Sequence, residues 1–541
     1  MPSRSFDRAG ALDRLRHDDF DVVVVGGGIT GVGVALDAVT RGLRTALVER
    51  DDFASGTSSR SSKLVHGGLR YLDQREFRLV YEALAERQHI IENAPHLVSI
   101  LPFLLPALAH EGRLTRRLAP IVSGALWMYD LTGGIRIGTR HQRVSVETAV
   151  AHIPTLDASR LRGSYVYFDA QADDARLTLT IARTAAAHGA AVVNRARVVS
   201  FEKHGRRVVG VRVAADHDEF TIRARSVVNA AGVWADDVRA LDEGAHPASM
   251  QPAKGVHVTL PWSLVRNDIA AIIPVPGDTR SVFVIPWGDH TYVGTTDTEY
   301  DGSLDDPRCT PSDVEYLLGA LNSISTFHAS ADDVVGTWAG LRPLLRGSMR
   351  ARTADLSRRH AVRTSDAGVV TVTGGKLTTY RRMAADAVDA VQRDLPGSDA
   401  PSRTKHLRLV GADGIDPPHA ALPPPGAHSQ PSTAEHLAAR YGSEMRTVQA
   451  LAEATPAWAE PLVPGLPYLK AEAVYAVREE MASSLDDVLS RRTRSRVLDA
   501  AATAAAAGDV ASLIAPELGW SSEEAAARAR EFAELVVEDR P

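Results

Sequence analysis

The sequence has little cysteine and no long apolar run. Its single cysteine, Cys309, excludes an intramolecular disulfide and any zinc or iron–sulfur site built from several cysteines. No apolar stretch approaches the roughly 20 residues that span a bilayer, and Met1–Phe20 lacks the apolar core of a secretory signal. The net charge of −6 gives no reason to expect nucleic-acid binding. With 44% hydrophobic and 24% charged residues, the composition excludes disorder over most of the chain.

Lysine is also scarce, because nearly all of the 61 basic residues are arginines. Three of the few lysines, Lys63, Lys254 and Lys376, nevertheless lie in segments rich in glycine or hydroxyl residues. Such positions suit a site that needs a compact ammonium rather than a planar guanidinium. Simple packing of a buried lysine stem is the alternative interpretation.

A glycine fingerprint follows the first predicted strand. Phe20–Val25 is apolar and β-branched, Gly26-x-Gly28-x-x-Gly31 comes next, and a helical pattern then leads to a second strand that ends at Glu49. Such a turn brings backbone and a helix N-terminus to a pyrophosphate, and the acid at the second strand binds a ribose hydroxyl. Glu49 disfavours a 2′-phosphate and therefore NADP, but leaves FAD and NAD open.

Three further segments favour a flavin over a nicotinamide. Thr57–Leu64 is dense in hydroxyls and runs into His66-Gly67-Gly68, Val227–Trp234 is a strand that enters a turn of small residues, and Thr371–Tyr380 is a second strand–Gly–Gly–helix start. A second helix N-terminus suits negative charge on a reduced flavin. A flexible serine loop is the alternative for the first of these segments.

The order of predicted elements indicates α/β architecture followed by helices. Helices are predicted at Glu76–Ile91 and Thr178–Ala187, and strands within Arg197–Val213 and Phe220–Ala230. Residues 401–432 form a connector rich in proline and glycine, and residues 433–541 are predicted to form a separate helical domain.

Five separated motifs resemble the FAD-dependent, aerobic respiratory glycerol-3-phosphate dehydrogenase family. They occur in the family's order and lie at Gly26–Gly33, Ser58–Leu72, Gly294–Asp297, Gly340–Leu344 and Gly374–Arg382. The resemblance implies a glutathione-reductase-like (Rossmann-type) FAD-binding domain, interleaved with an antiparallel-sheet substrate domain and followed by the helical domain. On this basis residues 18–400 form the oxidoreductase domain, with FAD parts at 18–80, 165–240 and 335–395 and substrate parts at 81–164 and 241–334.

The resemblance also implies a function. It implies oxidation of sn-glycerol 3-phosphate to dihydroxyacetone phosphate by hydride transfer to FAD, with electrons passed to a membrane quinone. The expected cofactor contacts are Gly26, Gly28, Gly31, Glu49, Ser58, Ser59, Ser62, Lys63, Leu64, His66, Gly374, Lys376, Leu377 and Thr378. The expected substrate contacts are Arg70, Tyr71, His257, Arg342, Arg358 and Lys376, with Arg352 as the competitor of Arg358.

The chemistry of the reaction gives three of these residues catalytic roles. A phosphate dianion favours a rigid guanidinium such as Arg342. Removal of the C2 hydroxyl proton needs a base with a pKa near neutral, for which His257 is the first candidate. Lys376 or Arg342 with a lowered pKa is the alternative base, and a purely structural role is the alternative for His257. No metal is expected.

Membrane contact is a separate question, which the order of apolar and basic residues addresses. Ser99–Ala109 is apolar but interrupted by proline, and Arg113, Arg116 and Arg117 precede an apolar segment with Trp127, so Ser99–Trp127 is a candidate for reversible contact with an anionic membrane. Packing of this segment within the protein is the alternative. We expect a cytoplasmic protein on the inner face of the membrane, with a homodimer left open. The rival functions are an oxidase that uses oxygen and a non-catalytic flavoprotein that senses a phosphorylated ligand.

Overall fold

The strands of this protein are distributed over two sheets. The structure is a computed structural model that describes residues 6–68, 76–108, 124, 126–130, 138–346, 360–395, 397, 399–428 and 430–539. In chain order the strands are β1 (Asp19–Val25), β2 (Thr45–Val48), β3 (Leu64–Val65), β4 (Val98–Leu108), β5 (Gln142–Val144), β6 (Leu161–Ala172), β7 (Ala191–Val193), β8 (Arg197–His204), β9 (Arg207–Ala215), β10 (Asp218–Asn229), β11 (Met250–Pro261), β12 (Ala270–Pro274), β13 (Ser281–Trp287), β14 (His290–Gly294), β15 (Thr298–Glu299), β16 (Gly336–Leu345), β17 (His360–Thr364) and β18 (Val369–Gly374).

The first sheet has the order β17-β18-β10-β1-β2-β7, and the β8–β9 hairpin extends it from β10. Its central strands β18, β10, β1, β2 and β7 run parallel. Such strands are covered on both faces, which is why Val22–Val25 of β1 is an unbroken buried apolar run. Helices Ile29–Thr40, Asp174–Ala187 and Tyr380–Arg393 pack together on one face. This is the Rossmann-type architecture that the fingerprint predicted and that the family resemblance implied.

The second sheet has the order β15-β11-β14-β13-β12-β4-β6-β3, with β16 paired to β11 and β5 to β6. Apart from the parallel β12–β4 pair, its neighbours run antiparallel. Helices Phe77–Asn93, Val146–His152, Ala235–Glu243, Trp262–Val265 and Pro311–Asn322 lie in the segments between the strands of the two sheets.

The second sheet corrects two predicted domain boundaries. Residues 165–172 belong to β6 and residues 336–345 to β16, so both lie in the second sheet and not in the FAD part; within the predicted FAD part 18–80, β3 also belongs to the second sheet. Apolar alternation identifies a strand, but strand partners are decided by tertiary pairing.

The apolar segment Ser99–Leu108 is also a strand of this sheet. As β4 it pairs with β6 along nearly its whole length and with β12 on its other side, and Leu101, Phe103 and Leu104 are buried. This part of the predicted membrane-contact segment is therefore wrong, because a strand hydrogen-bonded on both edges and buried in the core cannot insert into lipid. Arg113, Arg116 and Arg117 lie outside the described residues.

The C-terminal part is helical, as predicted. Its α-helices are Thr433–Tyr441, Met445–Ala454, Lys470–Glu480, Ser495–Leu498, Ala500–Leu518 and Ser522–Glu538, and Asp487–Arg492 forms a π-helical turn. The N-terminal helix Arg8–His17 precedes β1. The predicted helix Glu76–Ile91 spans Phe77–Asn93, and the one predicted from Thr178 begins at Asp174. Within the described part of the chain, no helix has the length and apolarity that a membrane span needs.

Candidate active site

One cavity of about 710 Å³ connects the carboxyl ends of the parallel strands with the second sheet. Its volume is in the range of small-molecule and cofactor pockets, roughly 300–1,000 Å³. It is lined by most of the residues that the sequence pointed to: Gly26, Gly28, Glu49, Ser58, Ser62, Leu64, His66, His257, Arg342, Gly374, Lys376, Leu377 and Thr378. The two glycine turns, the serine loop and the two strands of the second sheet therefore meet around one space.

The first glycine turn is set by close backbone packing. A Cβ atom on Gly31 would lie 1.8 Å from the carbonyl oxygen of Gly26, whereas one on Gly28 would meet only Ser58 Oγ, at 3.2 Å. The helix Ile29–Thr40 begins directly after this turn, and the Ile29 amide donates to Ser58 Oγ at 2.9 Å. Gly31 thus serves helix–strand contact, while Gly28 leaves space at the cavity wall.

Glu49 stands at the end of β2 beside this turn. Its two carboxylate oxygens accept hydrogen bonds from the amides of Gly27 at 2.6 Å and Asp51 at 2.8 Å. Burial nevertheless raises the pKa of Glu49 to about 7. Its carboxyl group therefore titrates near neutral pH in the free protein, and a ribose hydroxyl that donates to it favours the charged form.

The second glycine turn is joined to the serine loop. After β18 ends at Gly374, a 3₁₀ turn at Leu377–Thr379 leads into the helix Tyr380–Arg393. Thr378 Oγ1 accepts from the His66 amide at 3.2 Å and donates to the His66 carbonyl oxygen at 3.3 Å. Two segments more than 300 residues apart thus form one wall of the cavity.

Arg342 projects from β16 into a frame of four acceptors. Its guanidinium donates to Thr295 Oγ1 and the Thr296 carbonyl at 3.0 Å, to Asp297 Oδ1 at 3.2 Å and to the Lys254 carbonyl at 3.3 Å. A Cβ on Gly255 would approach its Nη2 to 2.5 Å, so this glycine makes room for the guanidinium. The charge is thus fixed in orientation at the cavity wall.

His257 is buried on β11 next to Ser62. Its Nε2 shares a 2.8 Å hydrogen bond with Ser62 Oγ, and its ring stacks on Trp338 at 4.6 Å between centroids and 8° between planes. Among the described residues its Nδ1 has no hydrogen-bond partner. Burial, with Lys63 and Arg342 nearby, holds the pKa of His257 well below its usual 6.5. The expected near-neutral base is therefore a neutral, weakly basic imidazole in the free protein.

The chain is similar to known proteins over nearly its whole length. Residues 21–381 match the family described as FAD dependent oxidoreductase, and residues 402–525 match the C-terminal domain of alpha-glycerophosphate oxidase. The chain is 43% identical to a glycerol-3-phosphate dehydrogenase of Mycobacterium leprae over 99% of its length and 92% of the relative's. It is 38% identical to the mitochondrial glycerol-3-phosphate dehydrogenase of Homo sapiens, over 96% and 73%. The chain belongs to the FAD-dependent glycerol-3-phosphate dehydrogenase family.

A solved structure extends the comparison to three dimensions. The glycerol-3-phosphate dehydrogenase of Bacillus halodurans complexed with FAD is 31% identical, with a TM-score of 0.77 over 99% of this chain and 97% of that one. The L-alpha-glycerophosphate oxidase of Mycoplasma pneumoniae, at 16% identity and a TM-score of 0.55, shares the fold. FAD is the cofactor of this family. The residues present fit it, because the glycine turn, Glu49 and the second glycine turn line one cavity.

Some expected cofactor contacts of this family member do not line the cavity. Gly31 lies where the helix Ile29–Thr40 packs against the Gly26 carbonyl. Ser59 and Lys63 are buried behind the cavity wall. There Lys63 Nζ donates to the Ser59 carbonyl at 3.1 Å and to Asp174 Oδ1 at 3.2 Å. We had expected Lys63 to contact the cofactor, but the side chain turns away from the cavity to pair with a carboxylate. Arg70, Tyr71, Arg352 and Arg358 lie outside the described residues.

The structure also adds residues that sequence reasoning missed. Arg50 and Trp234 line the cavity together, with the guanidinium 5.0 Å from the ring centroid, and both donate to Asp305 Oδ1. Trp338 supports His257 from β16. Its position four residues before Arg342 was a usable signal, since alternate residues of a strand share a face. The contact with His257 depends on the pairing of β11 with β16 and was not readable.

Proposed function

We propose that this protein oxidises sn-glycerol 3-phosphate to dihydroxyacetone phosphate and passes the electrons to a membrane quinone. The observation that carries the proposal is the convergence of Arg342, His257 and Ser62 on the cavity that also holds both glycine turns. The names of its relatives, which are glycerol-3-phosphate dehydrogenases, support the choice of substrate.

Arg342 is the proposed anchor for the substrate phosphate. Four hydrogen bonds hold its guanidinium at the cavity wall and use the four Nη hydrogens, so a bound phosphate takes the place of one or more of these acceptors. Lys376 adds a second cation to the same cavity. A guanidinium and an ammonium around one phosphate are a common solution for recognition of this group.

His257 is the proposed acceptor of the C2 hydroxyl proton. In the free protein its pKa is low, chiefly through burial and then through the positive charges of Lys63 and Arg342. A phosphate dianion bound to Arg342 offsets that positive charge and raises the basicity of the imidazole when substrate is present. Ser62 holds the ring through its Nε2. FAD, when bound, supplies the hydride acceptor.

The spectrum of the purified protein tests this proposal. We expect a yellow protein that releases FAD on denaturation, because binding is non-covalent. Anaerobic addition of glycerol 3-phosphate should bleach the oxidised flavin absorbance, with dihydroxyacetone phosphate formed in equal amount. Flavin that stays oxidised would support the non-catalytic sensor instead.

Oxygen is the alternative electron acceptor. The match of residues 402–525 to the C-terminal domain of alpha-glycerophosphate oxidase gives this alternative a specific basis. Peroxide yield in air should be compared with reduction of a soluble quinone analogue under nitrogen. We expect rapid quinone reduction and little peroxide, and the reverse pattern identifies an oxidase.

Contact with an anionic membrane is part of the proposal, through a different surface from Ser99–Leu108. Phe77, Tyr81, Trp127 and Met128 are exposed, although large apolar side chains rarely cluster at a surface. Their neighbours Leu79, Val80, Leu126 and Tyr129 belong to one buried cluster, and the Arg87 guanidinium of the helix Phe77–Asn93 lies 5.9 Å from the centroid of the Tyr129 ring. Arg140 lies 5.6 Å from the Trp127 ring. An aromatic surface with a cation at its edge suits the interface of an anionic bilayer.

Co-sedimentation with phosphatidylglycerol vesicles tests this surface. The double variant Phe77→Glu/Tyr81→Glu should stay in the supernatant and keep its activity with a soluble dye. Val537→Glu is the matched control, because Val537 is exposed on the C-terminal helix Ser522–Glu538. If the double variant sediments as the parent does, the contact surface lies elsewhere.

A further inference from the structure

A buried ionic cluster connects the C-terminal domain to the back of the serine loop. Arg494, Asp174 and Lys63 are each at most 1% exposed. Arg494 comes from the C-terminal domain, Asp174 opens the helix Asp174–Ala187 of the FAD-binding part, and Lys63 closes the loop Ser58–Lys63. The proposed reaction uses none of the three directly.

The contacts of this cluster converge on the loop backbone. Arg494 Nη2 donates to the Ser59 carbonyl and, at 3.3 Å, to Asp174 Oδ1. Lys63 Nζ donates to the same two acceptors. Asp174 Oδ2 accepts from the Ser61 amide at 2.9 Å and from Ser61 Oγ at 2.7 Å. One carboxylate and one carbonyl thus hold the middle of the loop against two cations.

Ser58, Arg60, Ser61 and Ser62 of this loop line the cavity, and two of them are hydrogen-bonded to other parts of the site. Ser58 Oγ accepts from the Ile29 amide at the start of the glycine-turn helix, and Ser62 Oγ is hydrogen-bonded to His257. Trp338, which stacks on His257, donates from Nε1 to the Ser61 carbonyl at 3.2 Å and lies 4.6 Å below Lys63 Nζ. A displacement of Ser59–Ser61 therefore moves the flanking Ser58 and Ser62 and the ring that supports His257.

We propose that Arg494 is a positioning residue of the active site, which acts through Asp174 and the Ser59 carbonyl to hold Ser62 against His257 and Ser58 against the glycine turn. The C-terminal domain then contributes to the reaction without lining the cavity. In energetic terms, removal of one partner from a buried charge cluster leaves the others uncompensated, so the loop must rearrange or admit water.

The test compares Arg494→Met with Arg494→Lys and with a control from the same interface. Arg183→Met is that control, because Arg183 lies at the other end of the helix Asp174–Ala187 and pairs with Glu444 of the C-terminal domain at 2.6 Å, far along the helix from the loop. Thermal stability of the holoenzyme should fall in both methionine variants. Only Arg494→Met should also change the loop.

Hydrogen exchange of peptides that cover residues 57–66 is the first measurement. In Arg494→Met these amides should exchange about tenfold faster or more, since the carbonyl and carboxylate lose a charged partner. Arg183→Met should leave them unchanged, and Arg494→Lys should fall between the parent and Arg494→Met because it keeps the charge but loses the fork. If Arg494→Met does not fold, Arg494→Lys against Arg183→Met gives the same comparison.

Steady-state kinetics is the second measurement, and it rests on the proposed function. Because Ser62 holds the His257 ring that is proposed to accept the C2 hydroxyl proton, Arg494→Met should lower kcat more than it raises the KM for glycerol 3-phosphate, with partial rescue in Arg494→Lys. The proposal is overturned if Arg183→Met loses as much kcat as Arg494→Met does. It is also overturned if Arg494→Met leaves both the hydrogen exchange of residues 57–66 and kcat unchanged. If the parent protein does not oxidise glycerol 3-phosphate, the exchange measurement still decides the role of Arg494.

Discussion

The two walls of the cavity are built in different ways. The wall on the first sheet comes from the glycine turn, Glu49 and the serine loop, which are close in sequence; it is built around a backbone turn whose Gly27 and Ile29 amides donate to Glu49 and Ser58. The wall on the second sheet comes from β11, β14 and β16, whose pairing sets Trp338 opposite His257 and Arg342 opposite Ala253. The first wall is thus encoded by a local motif, and the second by strand register.

This difference explains which residues tolerate change. A backbone-built wall is sensitive to any added side chain, because there is no rotamer that can move away. A side-chain-built wall is sensitive to the identity of a few groups and to the small residues that make room for them. Gly294 shows the second case, since a Cβ there would lie 2.0 Å from His257 Cδ2.

The largest effect should come from Gly31→Ala in the first wall. A Cβ at 1.8 Å from the Gly26 carbonyl forces the helix away from the strand, so we expect a loss of about 3 kcal/mol or more in the free energy of unfolding and little bound FAD. Gly28→Ala is the paired variant. Its free energy of unfolding should be close to that of the parent, but it should bind FAD weakly. Gly28→Val should bind FAD more weakly still. Denaturant unfolding and flavin content measure both, and a Gly31→Ala protein with parental flavin content contradicts this account.

The next effect concerns the second wall. Arg342→Ala should cost about 2–5 kcal/mol in kcat/KM for glycerol 3-phosphate, as for other buried charge pairs. Arg342→Lys should recover part of this because the charge remains but the fork is lost. Arg280→Ala is the control, since Arg280 donates to the Asp297 carbonyl without lining the cavity. Unchanged kcat/KM in Arg342→Ala removes this residue from the site.

The third effect is a pH dependence of FAD affinity, which should arise from Glu49 in the first wall. The pKa of Glu49 lies at about 7 instead of the usual 4.5, so its deprotonation costs stability as the pH rises through this range. If ribose hydroxyls donate to the carboxylate, FAD affinity of the apoprotein should fall as the pH drops below about 7, at most tenfold per pH unit. Glu49→Gln should flatten this dependence. Fluorescence titration with FAD at several pH values measures it, and an equal slope in both proteins argues against the contact.

The smallest effects should come from the two serines of one loop. Ser62→Ala removes the hydrogen bond to His257. It should raise the activation free energy by about 1 kcal/mol, so kcat should fall less than tenfold, with FAD affinity unchanged. Ser58→Ala removes the hydrogen bond to the Ile29 amide and should weaken FAD binding instead. Steady-state kinetics and flavin titration of both variants measure these effects. If Ser62→Ala weakens FAD binding and Ser58→Ala lowers kcat instead, the two walls do not act separately.

Position along a motif was a reliable guide where function depends on backbone. Gly26, Gly28 and Glu49 lie where the fingerprint predicted, and β18 leads into the second glycine turn as expected. The same reasoning placed Lys63 at the cofactor, but its partner Asp174 comes from a later helix that no local pattern identifies. It also left Ser99–Ala109 open between membrane contact and packing inside the protein, because a buried strand and an interfacial segment have similar composition.

The amino-acid sequence by itself determined the Rossmann-type turn, the helical nature of the C-terminal part and the family, because these follow from short-range steric rules and from motifs in a fixed order. Only the tertiary structure decided the strand register that brings His257 to Ser62 and Trp338, and the burial that keeps its imidazole neutral. It also decided that Arg494 reaches the serine loop from the far end of the chain. These are properties of long-range pairing and desolvation, which depend on residues that a sequence lists far apart.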